Sequence, residues 1–541
     1  MRRGKHAAVL FAGALLFLAG CGEDTVAPPD GGNGGNGGGG GGPLEVFDIF
    51  LRPYVIARGS SLAGGLPNPQ ESLYYLTAFY SGGEPVASFS WQFDPRLGSI
   101  LPKTVELTPT SATVSVLNDG LTPLGFYDIS VEGTSGGLHS SYHKRFAVVE
   151  INWMKHDRAI ITNPSDPPLD LELDPVFVPT GASDQIYFVG SPSKQAVSLW
   201  SIFANASLEQ PPATPEMSLF VVPNCNSNPC PWGTVDGLQA LSAEEREPDP
   251  SPAGMGRDEL LFSSQMDPQF LERLEVTNDE KIGFNLWVVK RPTSLGIPFR
   301  ARVLTSDVKF DSLGSQWFRV YQHRQPRWDP TAVAPVGQPA RIAFTANRGP
   351  DPLVAYGTNL WLGDLHDLDS DGVSDSLMNL RQLTNEGGIT SFDWTPDGQF
   401  IYFLAAGKDE IFKLPVANPQ AVESISLAAL DSELGDLRFI SVCRADGNLL
   451  AFQGSSENRV YLFVYDVAAA SLIRATPYEF PPGRNLFPRW HPTRREIVFV
   501  GDYTVARWLD NGDVYPLGNP VYAGVKRTLY PSVWSVQLEE R

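Results

Sequence analysis

The chain is poor in the residues that build most catalytic and metal centres. Its 541 residues include only 4 cysteines and 7 histidines. It has no HExxH pair, Walker loop or Rossmann fingerprint, so the usual zinc-protease and nucleotide-binding designs are excluded. Cys225 and Cys230 supply only two of the four ligands a zinc site needs, and no histidine lies near them. Basic residues are also scarce, 41 Lys and Arg against 61 Asp and Glu, for a formal charge of −20. Nucleic acid and anionic lipid are bound by clustered Lys and Arg, so neither is an expected partner. The acidity reads as a solubility device with capacity for cations. What is abundant is Gly (51), Pro (46) and Phe (30), with 12 Trp. Apolar segments alternate with turn residues throughout, which is an all-β composition.

The first residues, MRRGKHAAVLFAGALLFLAGCGED, combine a basic start, an apolar run from Ala7 to Ala19 and a small-residue end. That is an export signal, too short for a comfortable membrane span. Leu18-Ala19-Gly20-Cys21 resembles the bacterial lipoprotein lipobox, which implies lipidation at Cys21 and removal of residues 1–20. Residue 22 is Gly rather than Asp, which resembles an outer-membrane cargo by enterobacterial sorting. Residues 21–43 follow as a Gly-rich tether with a reach on the order of 25 Å. The expected location is therefore the bacterial outer membrane, facing the periplasm or the surface and held through the lipid alone.

Residues 44–150 hold about seven short alternating segments, among them SLYYLTAFY, ASFSWQFD and GFYDISVEG. This fits an Ig-like β-sandwich with Trp91 as its central tryptophan. It contains no cysteine pair and must rely on packing. Gly133-Thr134-Ser135-Gly136-Gly137 matches the nucleophile-elbow pattern G-x-S-x-G. That motif needs a strand-to-helix turn, and here a Gly-rich hairpin turn is expected instead.

From residue 151 onward an apolar strand carrying Phe recurs at Phe188, Phe262, Phe344, Phe403, Phe452 and Phe499. Most are followed by a second strand, read from SLWSI, NLWVV, NLWLG, EIFKLP, YLFVYDV and VARWLD. Upstream stand FDWTPDG, PRWDP and PRWHP, each with a Trp next to proline. Proline cannot donate a ladder hydrogen bond, so these prolines are expected to flank a short inner strand and stop it, the Trp packing between neighbouring blades. The pattern resembles the TolB-like, or WD-like, β-propeller repeat, with WTPDGQFIYF at 394–403 nearest to it. The resemblance implies a six-bladed propeller over 151–541. YPSVWSV at 530–536 is either its closing strand or a degenerate seventh blade. The lipid anchor and sandwich depart from TolB proper, so the fold carries over and the Tol-system role does not.

The sharpest candidate site is DLDSDGVSDS at 367–376. Asp367, Asp369, Asp371 and Asp375, with the carbonyl of Val373, occupy ligand positions of an EF-hand-type or thrombospondin-type loop. Met378 stands where a bidentate Glu would complete it. Bound Ca²⁺ is expected, as a structural staple of one blade. Cys225 and Cys230 are expected to pair as a disulfide in an oxidising compartment, Cys443 to be a buried strand residue, and His491 to be structural. No catalytic residue is assigned. The chain reads as a non-enzymatic scaffold that binds an envelope protein, peptide or glycan through the propeller face. The alternatives are a carbohydrate- or peptide-active propeller enzyme and an accessory of the Tol-Pal system.

Overall fold

The computed structural model describes residues 44–52, 56–57, 73–82, 88–97, 102–108, 111–117, 122–153, 169–179, 184–192, 198–203, 245–252, 257–264, 284–290, 301–305, 308–310, 317–319, 322–331, 338–349, 356–456, 459–476, 485–501, 504–505, 528–529 and 532–539. All lie within one compact unit, Pro43–Arg541. Cys21, the tether, Cys225 and Cys230 fall outside the described residues. The chain is all-β: among the described residues there is no α-helix, and no helix long and apolar enough to cross a membrane.

The N-terminal part is a two-sheet sandwich. Its strands are β1 (Glu45–Arg52), β2 (Ile56–Ala57), β3 (Leu73–Ser81), β4 (Ser88–Phe93), β5 (Pro102–Leu107), β6 (Ser111–Leu117), β7 (Gly125–Ser135) and β8 (Leu138–Trp153). One sheet has the order β1-β3-β6-β5, while β4, β7 and β8 line up in the other and β2 pairs with β8. Alternation along β7 buries Tyr127, Ile129 and Val131 in the shared core with Ile49, Leu76 and Val114. Trp91 is only partly buried at the edge of that core, and Tyr127 fills its centre instead. The Tyr127 hydroxyl donates to the Pro123 carbonyl at 2.5 Å and the Arg96 guanidinium covers its ring, so the polar end of a buried tyrosine is satisfied. Gly136 and Gly137, at φ +58° and +83°, form the two-residue turn between β7 and β8. That φ pair suits a tight hairpin, and the G-x-S-x-G segment is therefore no nucleophile elbow.

The rest is a succession of antiparallel sheets in chain order, a propeller arrangement. The first contains β9 (Leu169–Pro179), β10 (Asp184–Pro192) and β11 (Ser198–Phe203). The second contains β12 (Glu245–Pro250), β13 (Glu259–Ser264), β14 (Asn285–Lys290) and β15 (Ala301–Val303), followed by the hairpin β16 (Val308–Phe310) and β17 (Trp317–Arg319). The third contains β18 (His323–Trp328), β19 (Ala340–Ala346), β20 (Asn359–His366) and β21 (Ser376–Gln382). The fourth contains β22 (Ile389–Trp394), β23 (Phe400–Ala405), β24 (Glu410–Pro415) and β25 (Glu423–Ser426). The fifth contains β26 (Gly435–Val442), β27 (Leu449–Ser456), β28 (Arg459–Asp466) and β29 (Ser471–Arg474). In the last, β30 (Asn485–Trp490) and β31 (Glu496–Gly501) are followed by the hairpin β32 (Thr504–Val505) and β33 (Thr528–Leu529), then by β34 (Ser532–Gln537).

One register runs through every sheet. Phe188 faces Trp200, Phe262 faces Trp287, Phe344 faces Trp361, Phe403 faces Phe412, Phe452 faces Phe463 and Phe499 faces Trp534. Ring centroids lie 6.4, 5.0 and 5.8 Å apart in the second, fourth and fifth pairs, and each such pair adds about 0.5–1.5 kcal/mol beyond its buried area. In the last sheet the partner comes from β34 and not from VARWLD, the segment expected there. The chain leaves the sheet after Gly501 and returns at Ser532.

The first strands β9, β12, β18, β22, β26 and β30 each lie against the next, and β30 lies against β9, so the ring closes. The closing sheet is completed by the other end of the unit: β34 pairs on one side with β31 and on the other with residues 150–153 of β8. The boundary expected at 150 thus falls inside a strand that serves both the sandwich and the last sheet. Ala147, Val149 and Ile151 of β8 share a core with Trp490, Phe499 and Trp534. Arg145 adds a bridge from the sandwich to Asp466 of the fifth sheet at 2.9 Å.

Candidate functional site

The first strand of each sheet has an open edge toward the ring axis, and its unpaired N–H groups need acceptors. Register shifts interrupt all of these strands at one level. At that level Asp174, Glu247, Gln325, Phe439 and Phe487 adopt φ between +49° and +58°. Such left-handed residues without glycine cost about 1–3 kcal/mol each and persist only where their surroundings hold them. Four precede proline: Pro175, Pro248, Pro326 and Pro488. Pro326 and Pro488 therefore sit inside their strands at the bulge, where no ladder bond is needed, while Pro330 and Pro492 lie beyond the strand ends.

Side chains on one strand satisfy N–H groups of the next in two tiers. In the first, the Glu247 N–H donates to Asp174 at 3.2 Å, Gln325 to Glu247 at 2.8 Å and Ile440 to Ser391 at 3.0 Å. In the second, Trp328 donates to Asp249 at 2.9 Å, Val442 to Asp393 at 2.9 Å and Trp490 to Ser441 at 3.2 Å. The tryptophans make a further bond across the seam: the Trp328 indole donates to the Asp249 carbonyl at 3.0 Å and the Trp490 indole to the Ser441 carbonyl at 3.1 Å. Each packs against the preceding sheet, Trp328 with Leu261 and Leu286, Trp490 with Ala451 and Leu462. The proline-flanked tryptophan is thus an inter-sheet latch.

The two tiers bound a small, part-open pocket on the axis with a cavity volume of about 30 Å³, lined from each of the six sheets. At the first tier Arg246 pairs with Asp174 at 2.8 Å and Arg324 with Glu247 at 2.9 Å. At the second, Arg489 pairs with Asp249, Arg327 stands 3.9 Å from the same carboxylate, and Arg444 pairs with Asp393 at 3.0 Å. Burial and the neighbouring Arg489 charge bring the Arg327 guanidinium down to about 10. Burial pushes the Asp393 carboxyl up, but Arg444, Arg489 and Arg327 outweigh it and hold it below the usual carboxylate range. None of these residues is picked out by a sequence motif. In the QPRW, FDW and FPRW repeats, Arg327, Asp393 and Arg489 all stand immediately before the tryptophan, and that position is the signal that could have found them.

The acidic loop lies elsewhere, between β20 and β21 at the seam of the second and third sheets. Carboxylate oxygens of Asp367, Asp369 and Asp375 lie within 4.8 Å of one another. Asp371 is turned away to Arg302 of β15, which bridges it and Asp369 at 2.8 Å each. Val373 is buried in the core below. The loop N–H groups are taken up by its own carboxylates: Gly372 donates to Asp367, Val373 to Asp371, and Leu368 and Asp369 to Asp375. Next to it, Ser374 is gripped by the fully buried Glu259 and Arg257 of the second sheet. The loop is therefore a clamp between sheets before any ion is considered.

Cys443 is buried in the core that contains Val149 and Trp490, and burial pushes its thiol up to about 11, which makes it an inert side chain. His491 lies at the closing seam, its ring edge against Phe177 and its Nε2 3.1 Å from Asp184.

No family model matches this chain, and no curated protein sequence does. Among solved structures it is similar to a putative TolB from Agrobacterium tumefaciens, at 15% identity over 54% of this chain and 84% of that one, with a TM-score of 0.32. It is also similar to the oligogalacturonate lyase of Vibrio parahaemolyticus, at 12% identity over 91% and 92% with a TM-score of 0.30. The Dos1 propeller matches at 10% identity over 92% and 96%, with a TM-score of 0.31. These likenesses transfer no activity.

Proposed function

We propose that the chain is an exported lipoprotein, anchored at Cys21 in the bacterial outer membrane, whose Ig-like sandwich and six-bladed propeller form a non-enzymatic scaffold for an envelope protein, peptide or glycan. The observation that carries the reading is the employment of the channel carboxylates. Asp174, Glu247, Asp249 and Asp393 each accept a backbone N–H of the next element and pair with an arginine. Groups bound in this way are fixed acceptors rather than a paired acid and base awaiting a substrate. The Ig-like assignment is supported by the order β1-β3-β6-β5 against β4-β7-β8, the arrangement of a seven-strand constant-type domain. The six-bladed assignment is supported by the repeated Phe register and the closed run of first strands.

The test is capture of envelope fractions on the immobilised full chain, beside turnover assays with glycan and peptide libraries. Specific retention without turnover is the expected result. Turnover lost on substitution of Asp249 or Asp393 in folded protein would sink the proposal and favour the enzyme. We also assign Ca²⁺ to the acidic loop, with Asp367, Asp369 and Asp375 as ligands and Arg302 as the competing cation. Calorimetric titration of chelator-treated protein is expected to show binding that Asp369→Ala abolishes.

A further inference from the structure

Two of the pocket's arginines are left with donors to spare. Arg327 Nε and Arg489 Nη1 are buried and have no acceptor, although a buried N–H without a partner is costly. Asp249 cannot serve both residues. One of its oxygens accepts the Trp328 N–H, and the other is held by Arg489, leaving Arg327 3.9 Å away, beyond hydrogen-bond reach. The charge count agrees. Among the described residues the first tier balances, Arg246 with Asp174 and Arg324 with Glu247, while at the second tier the three arginines Arg327, Arg444 and Arg489 stand with the two carboxylates Asp249 and Asp393. One positive charge remains over, on the axis of a protein whose formal charge is −20. Uncompensated charge in such a place is expensive and calls for an anion.

The surroundings narrow the anion. Phe439 and Phe487 meet edge to face at 4.3 Å beside the arginines, with Phe392, Pro248 and Pro488 in the same wall, while Asp174 and Glu247, which also line it, are already paired with Arg246 and Arg324. A dianion would over-compensate a single excess charge and gain nothing from aromatic walls. A monoanionic carboxylate on an apolar body fits both, because guanidinium groups match a planar carboxylate and aromatic rings accept carbon. Left-handed residues from five of the strands converge on this pocket, and strain of that kind concentrates at functional sites.

We propose that the axial pocket is a carboxylate-binding site in which Arg327 and Arg489 receive the carboxylate and Phe439 and Phe487 flank the carbon skeleton behind it. The site deepens the scaffold reading by naming the chemistry recognised: a small organic acid or the C-terminal end of a peptide. Calorimetry and thermal unfolding of the full chain with benzoate, and with N-acetyl-Gly-Phe as the free acid and as the amide, test it. Benzoate is expected to bind and to raise the melting temperature, and the free acid to bind where the amide does not. Tighter binding of the dipeptide acid than of benzoate assigns the site to chain ends, and equal binding assigns it to small acids. Arg489→Gln should weaken binding about tenfold or more, the loss of a charge-assisted bond to a buried anion. Because that variant also breaks the latch to Asp249, Asp249→Asn is the second arm. It removes the competing carboxylate while leaving an oxygen for the Trp328 N–H, and should tighten binding severalfold. The site is overturned by absence of binding in both wild type and Asp249→Asn, by equal affinity for acid and amide, or by wild-type affinity in folded Arg489→Gln. Retention of an envelope component without carboxylate binding overturns this site alone. Carboxylate binding followed by turnover overturns the non-enzymatic reading and leaves the site standing.

Discussion

The seam between the fourth and fifth sheets and the seam that closes the ring do the same mechanical job with different chemistry. At the former, Asp393 accepts the Val442 N–H and pairs with Arg444. All participants lie within about fifty residues of one another. At the closing seam, Asp184 of β10 meets His491 and Arg494 across almost the whole propeller sequence, and Arg494 turns back to Glu496. The first seam relies on a carboxylate that the surrounding arginines hold below its usual range. The second includes a histidine that burial and the Arg494 charge hold below its ordinary 6.5. Closing a ring between distant segments has therefore placed a titratable imidazole in the seam.

The largest effect is expected from breaking the internal seam. Asp393→Ala leaves the Val442 N–H and the Arg444 guanidinium without their carboxylate acceptor, and should cost about 3–5 kcal/mol in urea unfolding. A loss below about 1 kcal/mol would show that the seam is held by its apolar packing alone. Acid should separate the two seams next. Burial, followed by the Arg494 charge, holds the His491 imidazole below its ordinary 6.5, against the opposing pull of Asp184 and Glu496. The unfolded chain thus binds the proton more readily, so stability is full above pH 6.5 and falls as the pH drops through the window below it. Asp393, held below 3.8, contributes stability that is lost only in more acidic solution. Stability curves of wild type and His491→Gln between pH 7.5 and 4.5 should converge toward acid; parallel curves would remove the histidine from the account.

A smaller effect, about 1 kcal/mol, is expected for Trp490→Phe, which keeps most of the buried ring and deletes the indole bond to the Ser441 carbonyl. Smallest is Arg302→Ala, an ion pair at a half-exposed loop worth about 0–1 kcal/mol in metal-free protein. With calcium present its sign should reverse, because Asp369 is released from Arg302 to act as a ligand; unchanged calcium affinity in that variant would show that Arg302 does not compete.

The repeat was readable because its determinants are local. Each Phe stands at a fixed place in its strand, and apolar alternation around it is set by the pleat. The aromatic partner was readable too wherever the next strand follows closely, and it failed only after Phe499, where residues 502–531 separate it from Trp534. The central tryptophan of the sandwich was misplaced for a different reason: Trp91 and Tyr127 are both large and apolar, and only the packing of two sheets decides which one is enclosed. The channel arginines were not readable, because their partners belong to other sheets. Arg489 and Asp249 are 240 positions apart, and nothing in either neighbourhood announces the other. The acidic loop was legible as a cluster of carboxylates, whereas Arg302, which occupies two of them, stands in a plain strand sequence.

Strand β8 also imposes an order of events on the growing chain. Its first half completes the sandwich, whose strands all precede it, so that domain can form as soon as residue 153 is made. Its last residues then wait at an open edge for β34, which follows only after the strands of every intervening sheet. The N-terminal domain therefore acts as a template held ready while the propeller sheets form. A chain cut before Ser532 lacks β34 and leaves the facing edges of β31 and β8 without the strand that joins them.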